Sequence, residues 1–460
     1  MRNNKKRLIA IVCSVCVIGL LLISLLVINK KDRADLVLSA SYEINAELVP
    51  EKNILTFEEC VQVKNTGADD TKLLYFHIYG NLYKTDDSKI SVLSVKDSSG
   101  NPIQFSTEDD DQLLRLTLND PLISNSETTI TFTCTATIPI MTVRYGVARD
   151  GEIHMPFFYP QLAVYDENGW DTAPMNDIGD GRYAEISNYN FTITAPNDFV
   201  VAANGTQLSY IENGDTVTYS FAAPNRRDLI FIAYNDYTRM DRTVGKTQLI
   251  GYFNNNQVAP AMMNEIMDTA EFSIKYFSEN FCEYPYETLV ITNAAHSTKA
   301  TVSMEYSGLI SVSPSYDFEL VVCHEMAHQW FYSLIGNNEN AEPWLDEAFA
   351  QFSSLICYEA NGQAVDDYWD VAKIQADTTK GTTLDCAFDE TDIYTNHFYG
   401  RGSYFLKELM DAIGRDEFFA MLSEYCNRFA YKNATTQDFL DILEEYSSTD
   451  VSSIVKQYIF

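Results

Sequence analysis

The run CHEMAHQW, residues 323–330, sets His324 and His328 four positions apart, with Glu325 directly after the first, in a chain of 460 residues that has six histidines. On a helix, residues four apart lie one turn above each other on one face, so both imidazoles reach a single ion at about 2.0–2.1 Å. A catalytic metal takes three protein ligands and keeps a fourth place open, so a carboxylate or another nitrogen must come from elsewhere. Glu347, nineteen residues after His328, is such a carboxylate. Glu325, beside a ligand but not itself one, is placed to accept a proton from water. The competing reading is two surface histidines on an amphipathic helix, and a chain this poor in histidine argues against it.

Two helices must position these groups. Asp317 is a candidate cap for a helix running through FELVVCHEMAHQWFYSLI and stopping at Gly336. Pro343 suits the first turn of a second, PWLDEAFAQFSSLICYEANG, which ends at Gly362. An antiparallel return between them brings Glu347 back to the histidines. The wider pattern changes once. From Leu36 to Thr243 short β-rich runs such as LLYFHIYGN and TTITFTCTATI alternate with turn clusters such as NTGADD, and from Asn256 longer runs with helical spacing take over. The expected fold class is α+β and multidomain: a sandwich-like all-β domain over residues 34–243, then a mainly helical domain over residues 244–460.

HEMAHQW followed by EPWLDEAFA resembles the zinc signature of the aminopeptidase N family of gluzincin metallopeptidases: His-Glu-x-x-His, eighteen residues, then Glu. KNTGADDTKLLYFHIYGN resembles that family's N-terminal β domain, and YFSENFCEYPYETLVIT the entry to its thermolysin-like domain. FYGRGSYFLKELMDAIGRDEFF resembles the helix of its catalytic tyrosine. By this resemblance His324, His328 and Glu347 hold one zinc per chain, Glu325 is the general base, and Tyr399 donates to the oxyanion. VSMEY, residues 302–306, stands where the family has Gly-Ala-Met-Glu-Asn, so Glu305 matches the residue on that strand that binds the substrate's free amino terminus. The chain departs from the family at Ser303 for Ala, Tyr306 for Asn, Arg401 for Lys before Gly402, and Ser354 for a carboxylate behind the ligands. It ends at Phe460, so the large C-terminal helical domain of long members, and length selection by a deep enclosed cavity, are not expected.

The activity implied is release of N-terminal amino acids from peptides, with peptides bearing a free amino terminus as partners. Two alternatives differ in kind: a thermolysin-type endopeptidase, which has no use for Glu305, and a peptide-binding module on the same fold that has lost turnover.

Residues 1–33 stand apart. Arg2, Lys5, Lys6 and Arg7 precede an uncharged apolar run from Leu8 to Ile28, closed by Lys30, Lys31 and Arg33. These residues span roughly 31 Å as a helix, enough for a bilayer core of about 30 Å. The run exceeds a signal-peptide core and no small-x-small cleavage site directly follows it, so an uncleaved single-pass anchor with the rest of the chain outside the cell is expected. The whole chain has 32 Lys and Arg against 65 Asp and Glu; seven of the basic and one of the acidic residues fall in residues 1–33, so the remainder carries a formal −39. Nucleic acid is thereby excluded as a partner. The seven cysteines beyond residue 33 show no CxxC spacing, which implies buried thiols and neither a disulfide framework nor a cysteine metal site.

Overall fold

The computed structural model describes residues 36–460 except 177, 180, 316, 380 and 382–390. The anchor expected over residues 8–28 lies outside the described residues, and among those described no helix is long and apolar enough to cross a membrane.

Period-2 alternation builds the first half. In the strand Leu38–Val49 every second residue from Ala40 to Leu48 is buried. That strand is central to a seven-stranded sheet ordered Thr206–Asn213, Thr216–Arg226, Ser187–Pro196, Leu38–Val49, Ile54–Asn65, Ser126–Thr137, Ile90–Asp97. A four-stranded sheet built on Thr71–His77 and Leu113–Leu122 shares its core, which draws on residues 40–233. This is the β-rich first half that the sequence implied. A further sheet contains Val200–Ala203 and Ile230–Tyr234, and its Ala202, Ile230 and Ile232 pack with Tyr252, Val290 and Leu309 of the second half.

The second half has its own sheet and core. Strands Tyr237–Val244, Thr247–Asn254, Thr288–Asn293 and Leu309–Val312 lie side by side, the last three parallel. The crossover between Thr247–Asn254 and Thr288–Asn293 is the helix Pro260–Asn280. Apolar residues of the sheet, such as Phe253, Ile291 and Val312, join those of the helices in one core that draws on residues 249–459. The six cysteines among the described residues are free thiols, four of them buried.

One residue of the β half defies its pattern. Glu59 points inward on the strand Ile54–Asn65, between Phe57 and Val61, and is 0% exposed; among the described residues neither of its carboxylate oxygens has a hydrogen-bond partner. Burial pushes its pKa well above the usual carboxylate range, reinforced by Cys60. A raised folded-state pKa means that the stability associated with the protonated group is complete below the unfolded pKa and is lost as pH rises through the folded one. Glu59→Met should therefore stabilise the fold. Relieving one unsatisfied buried polar group is worth about 1–3 kcal/mol, and each kcal/mol shifts Tm by about 2–4 °C for a domain of this size. Calorimetry should find Tm raised by at least about 2 °C at pH 8, with a smaller gain at pH 5; an unchanged or lower Tm would mean that Glu59 is satisfied in solution.

Candidate metal centre

The histidine helix spans Phe318–Ala327, shorter than the run to Gly336 expected from the sequence. Asp317 sits at the N-cap position, but its side chain makes no capping bond. His328 closes the helix with helical backbone angles, φ −62° and ψ −16°, and its N–H still donates to the His324 carbonyl at 3.2 Å. The two histidines thus keep the one-turn relation. Beyond them the chain bends, because Tyr332 adopts a left-handed φ of 136° that a helix cannot accommodate.

The second helix spans Trp344–Ala360 and carries Glu347 in its first turn. The Nε2 atoms of His324 and His328 lie 3.1 Å apart, and Glu347 Oε2 is 3.4 and 3.5 Å from them. Ligands bound tetrahedrally at about 2.0–2.1 Å are separated from one another by about 3.3–3.4 Å. These three atoms therefore form a face of such a tetrahedron, and among the described residues no other group of three His, Cys, Asp or Glu could hold a metal ion.

His328 is oriented by the backbone: its Nδ1 lies 3.0 Å from the Phe331 carbonyl, which leaves Nε2 for the metal. Ser354 has no such role, since its hydroxyl donates to the Gln351 carbonyl at 2.8 Å. Burial opposes charge on both imidazoles. It prevails at His324, whose pKa is lowered, whereas at His328 the Glu347 carboxylate overrides it and the pKa is raised. Burial acts against ionisation of Glu347 as well, but hydrogen bonds from both histidines reverse it and hold the carboxyl well below its usual range.

The other predicted residues gather around this face. Tyr399 donates its hydroxyl to Glu347 Oε1 at 2.5 Å, and its ring stacks on His324 with centroids 5.4 Å apart. It lies in a π-helical stretch, Thr395–Gly402, ahead of the helix Ser403–Ile413. Gly402 permits the approach: a Cβ there would come within 2.5 Å of the Ala348 Cβ on the glutamate helix. Arg401, the departure before it, points away, donating to the Ala376 and Gln457 carbonyls at 2.7 and 2.6 Å. Glu325 is buried beside His328 and acts on it electrostatically.

Glu305 is buried and close enough to influence His328, but the strand expected over residues 302–306 reduces to a single bridge, Met304 to Ser311, followed by a turn. Gln329 fixes that turn. Its side-chain amide donates to the Tyr306 carbonyl at 3.1 Å and accepts from Gly308 N at 2.9 Å. Tyr306 is buried against Phe157 of the β half, ring centroids 5.7 Å apart, so its bulk goes into the core. The Glu305 carboxylate is bound by Arg182, which no spacing or motif marked; the available signal was the rarity of basic residues in an acidic chain.

Residues 263–458 match the family described as Peptidase family M1 domain. Aminopeptidase M1-B of Oryza sativa subsp. japonica is 26% identical over 219 residues, 41% of this chain and 24% of that protein. Probable aminopeptidase 2 of Sulfurisphaera tokodaii is 24% identical over 302 residues, 59% of this chain and 38% of that protein. Glutamyl aminopeptidase of Rattus norvegicus is 24% identical over 297 residues, 58% and 31% respectively. The matched stretches thus cover well under half of each relative's length. Among solved structures, the M1 zinc metallopeptidase of Deinococcus radiodurans superposes with a TM-score of 0.70 at 17% identity, covering 91% of this chain and 92% of that one. A point mutant of the same enzyme, bound to a Tyr-Ser-Ala substrate, gives 0.69 over 93% and 94%. The β-rich half followed by a mainly helical half is therefore a known two-domain arrangement.

The geometry predicts which substitutions release the metal. Elemental analysis of purified, dialysed protein should find about one equivalent of transition metal in the wild type and in Ser354→Ala, and less than about 0.2 in His324→Ala and Glu347→Ala. A full equivalent retained by Glu347→Ala would remove Glu347 from the ligand set.

Proposed function

We propose that the chain, whose residues 263–458 match the Peptidase family M1 domain, is a zinc-dependent aminopeptidase of that family, with His324, His328 and Glu347 as ligands of one zinc ion. The observation that carries this reading is the set of three ligand atoms separated by 3.1–3.5 Å, two of them on buried residues and the third on half-buried His324, with the Tyr399 hydroxyl already bonded to one of the ligands. When bound, zinc supplies Lewis acidity that polarises a carbonyl and brings the pKa of a water toward about 7. Glu325 takes the proton of the attacking water and returns it to the leaving amine. Tyr399 exchanges Glu347 for the carbonyl oxygen as negative charge develops there. Glu305 pairs with the substrate's α-ammonium and so fixes which peptide bond meets the site. The cores over residues 40–233 and 249–459 support a division into domains 34–243 and 244–460.

The grip of Arg182 on Glu305 favours one other reading, a thermolysin-type endopeptidase in which this carboxylate is structural. Paired peptides separate the two. The aminopeptidase cleaves peptides with a free amino terminus and handles their acetylated counterparts at least about tenfold less well, the worth of a charge-assisted bond of about 1.5–3 kcal/mol. Equal cleavage of both, or internal cutting, establishes the endopeptidase. In either case Glu325→Gln should retain the metal and lose about 10²- to 10⁴-fold in turnover.

We also propose that residues 8–28 anchor the chain in the cell membrane with the acidic remainder outside. The support is an uncharged apolar run bounded by basic residues. Protease added to intact cells should remove the activity from their surface. Recovery of a soluble form beginning between residues 29 and 45 would make the run a cleaved signal instead.

A further inference from the structure

Beside the metal centre, three buried carboxylates, Asp228, Glu305 and Glu339, converge on the single guanidinium of Arg182. Arg182 Nη2 binds Glu305 Oε1. Its Nη1 donates to the Tyr332 hydroxyl at 2.8 Å and lies 3.5 Å from Asp228 Oδ2, while Nε lies 3.5 Å from Glu339 Oε2. Its backbone N–H also donates to Glu339 Oε2, at 3.0 Å. Two rings fix the guanidinium plane, Tyr332 at 4.4 Å and Phe157 at 5.0 Å. The residue belongs to the β half, just before its strand Ser187–Pro196, whereas Glu305, Tyr332 and Glu339 belong to the second half.

Charge and shape together point to a role. Arg182 is the foremost positive charge acting on Asp228, ahead of Arg226, so Asp228, Glu305 and Glu339 all face the same guanidinium. In the aminopeptidase reading the α-ammonium of a peptide meets Glu305 through a charge-assisted bond whose strength depends on geometry. With Nη1 and Nε facing Tyr332, Asp228 and Glu339, the planar guanidinium presents Nη2 to Glu305 Oε1 from a fixed direction, which an ammonium on a flexible stem does not do. We infer that Arg182 is a positioning residue for substrate: it holds the Glu305 carboxylate in the one orientation that meets the α-ammonium. The inference rests on the aminopeptidase reading above.

The test is a double-mutant cycle on the full chain, with KM and kcat measured on a free-amine peptide and on its acetylated counterpart. Arg182→Lys keeps the charge and removes the fork. It should raise KM for the free-amine peptide at least about tenfold with a smaller change in kcat, and reduce the preference for free over acetylated peptide. In a Glu305→Gln background the same substitution should add less than about twofold, because Arg182 acts through Glu305. Should Arg182→Lys fail to fold, by circular dichroism and metal content, Phe157→Leu loosens the guanidinium plane at constant charge; it should raise KM about two- to fivefold, again only where Glu305 is present. A folded Arg182→Lys with wild-type KM, or an effect equally large in both backgrounds, overturns the proposal and makes Arg182 a scaffold residue. If Phe157→Leu is the variant measured, the same two results overturn it. A wild type without preference for free amines removes the aminopeptidase reading and this one with it.

Discussion

Two imidazole nitrogens and a carboxylate oxygen must be held within about 3.5 Å of one another where water scarcely reaches, and the second half of the molecule is arranged around that demand. Helix ends meet part of it. The histidines occupy the last turn and cap of Phe318–Ala327, whose C-terminal dipole favours positive charge, and Glu347 occupies the first turn of Trp344–Ala360, whose N-terminal dipole favours negative charge. A metal dication between these ends has the favourable end of one helix directly beside it and a carboxylate stabilised by the other. The arrangement also explains why the histidine helix stops at Ala327: only after it ends can the Phe331 carbonyl turn back to His328 Nδ1.

That turn is held from outside its own domain. Tyr332 carries a backbone conformation that costs on the order of 1–3 kcal/mol, and its hydroxyl is anchored on Asp228 Oδ2 at 2.6 Å. Asp228 also receives Ser307 N at 3.1 Å, next to the turn that presents Glu305. Its two predecessors act alike. Arg226 lies over the Tyr286 ring at 3.4 Å, and Arg227 donates to the Ala184 and Lys432 carbonyls at 2.7 Å each. At Gly308 and Gly336 a Cβ would strike these two guanidinium groups, at 2.6 and 2.2 Å. A chain with so few basic residues thus places three arginines, 182, 226 and 227, inside; for Arg182, which is ion-paired there, breaking a buried pair costs about 3–5 kcal/mol. The β half is part of the site's framework.

Local features of the chain were legible where period and spacing carry the information. His324, His328 and Glu347 follow from a helical face and an antiparallel return, and the β half from alternation and turn clusters. What escaped depends on contacts distant in sequence. Arg182 meets Glu305 across 123 positions, and neither neighbourhood announces the other. Glu59 fills an inward position that alternation assigns to an apolar side chain. The helix after His328 was overextended because QWFYSLI has helical apolar spacing, yet tertiary bonds to Tyr332 and Phe331 override that local preference.

Tyr399 shows the same override in the opposite sense. The apolar spacing of Ser403–Ile413 extrapolates back as an ordinary helix, but the eight residues before it form a π-helical stretch. Each residue accommodated by a wider turn rotates the preceding side chains by about 100° relative to the α-helical course. Such a turn is unfavourable on its own and persists where surrounding contacts select it. Here those contacts include the hydroxyl on Glu347, the ring on His324, the Gly402 backbone pressed against Ala348, and the bonds of Arg401 to the Ala376 and Gln457 carbonyls. The first two belong to the metal ligands themselves. The conformation that aims Tyr399 at the centre is therefore held jointly by the centre and by the packing of Arg401 behind it, which couples the tyrosine to its ligand partners.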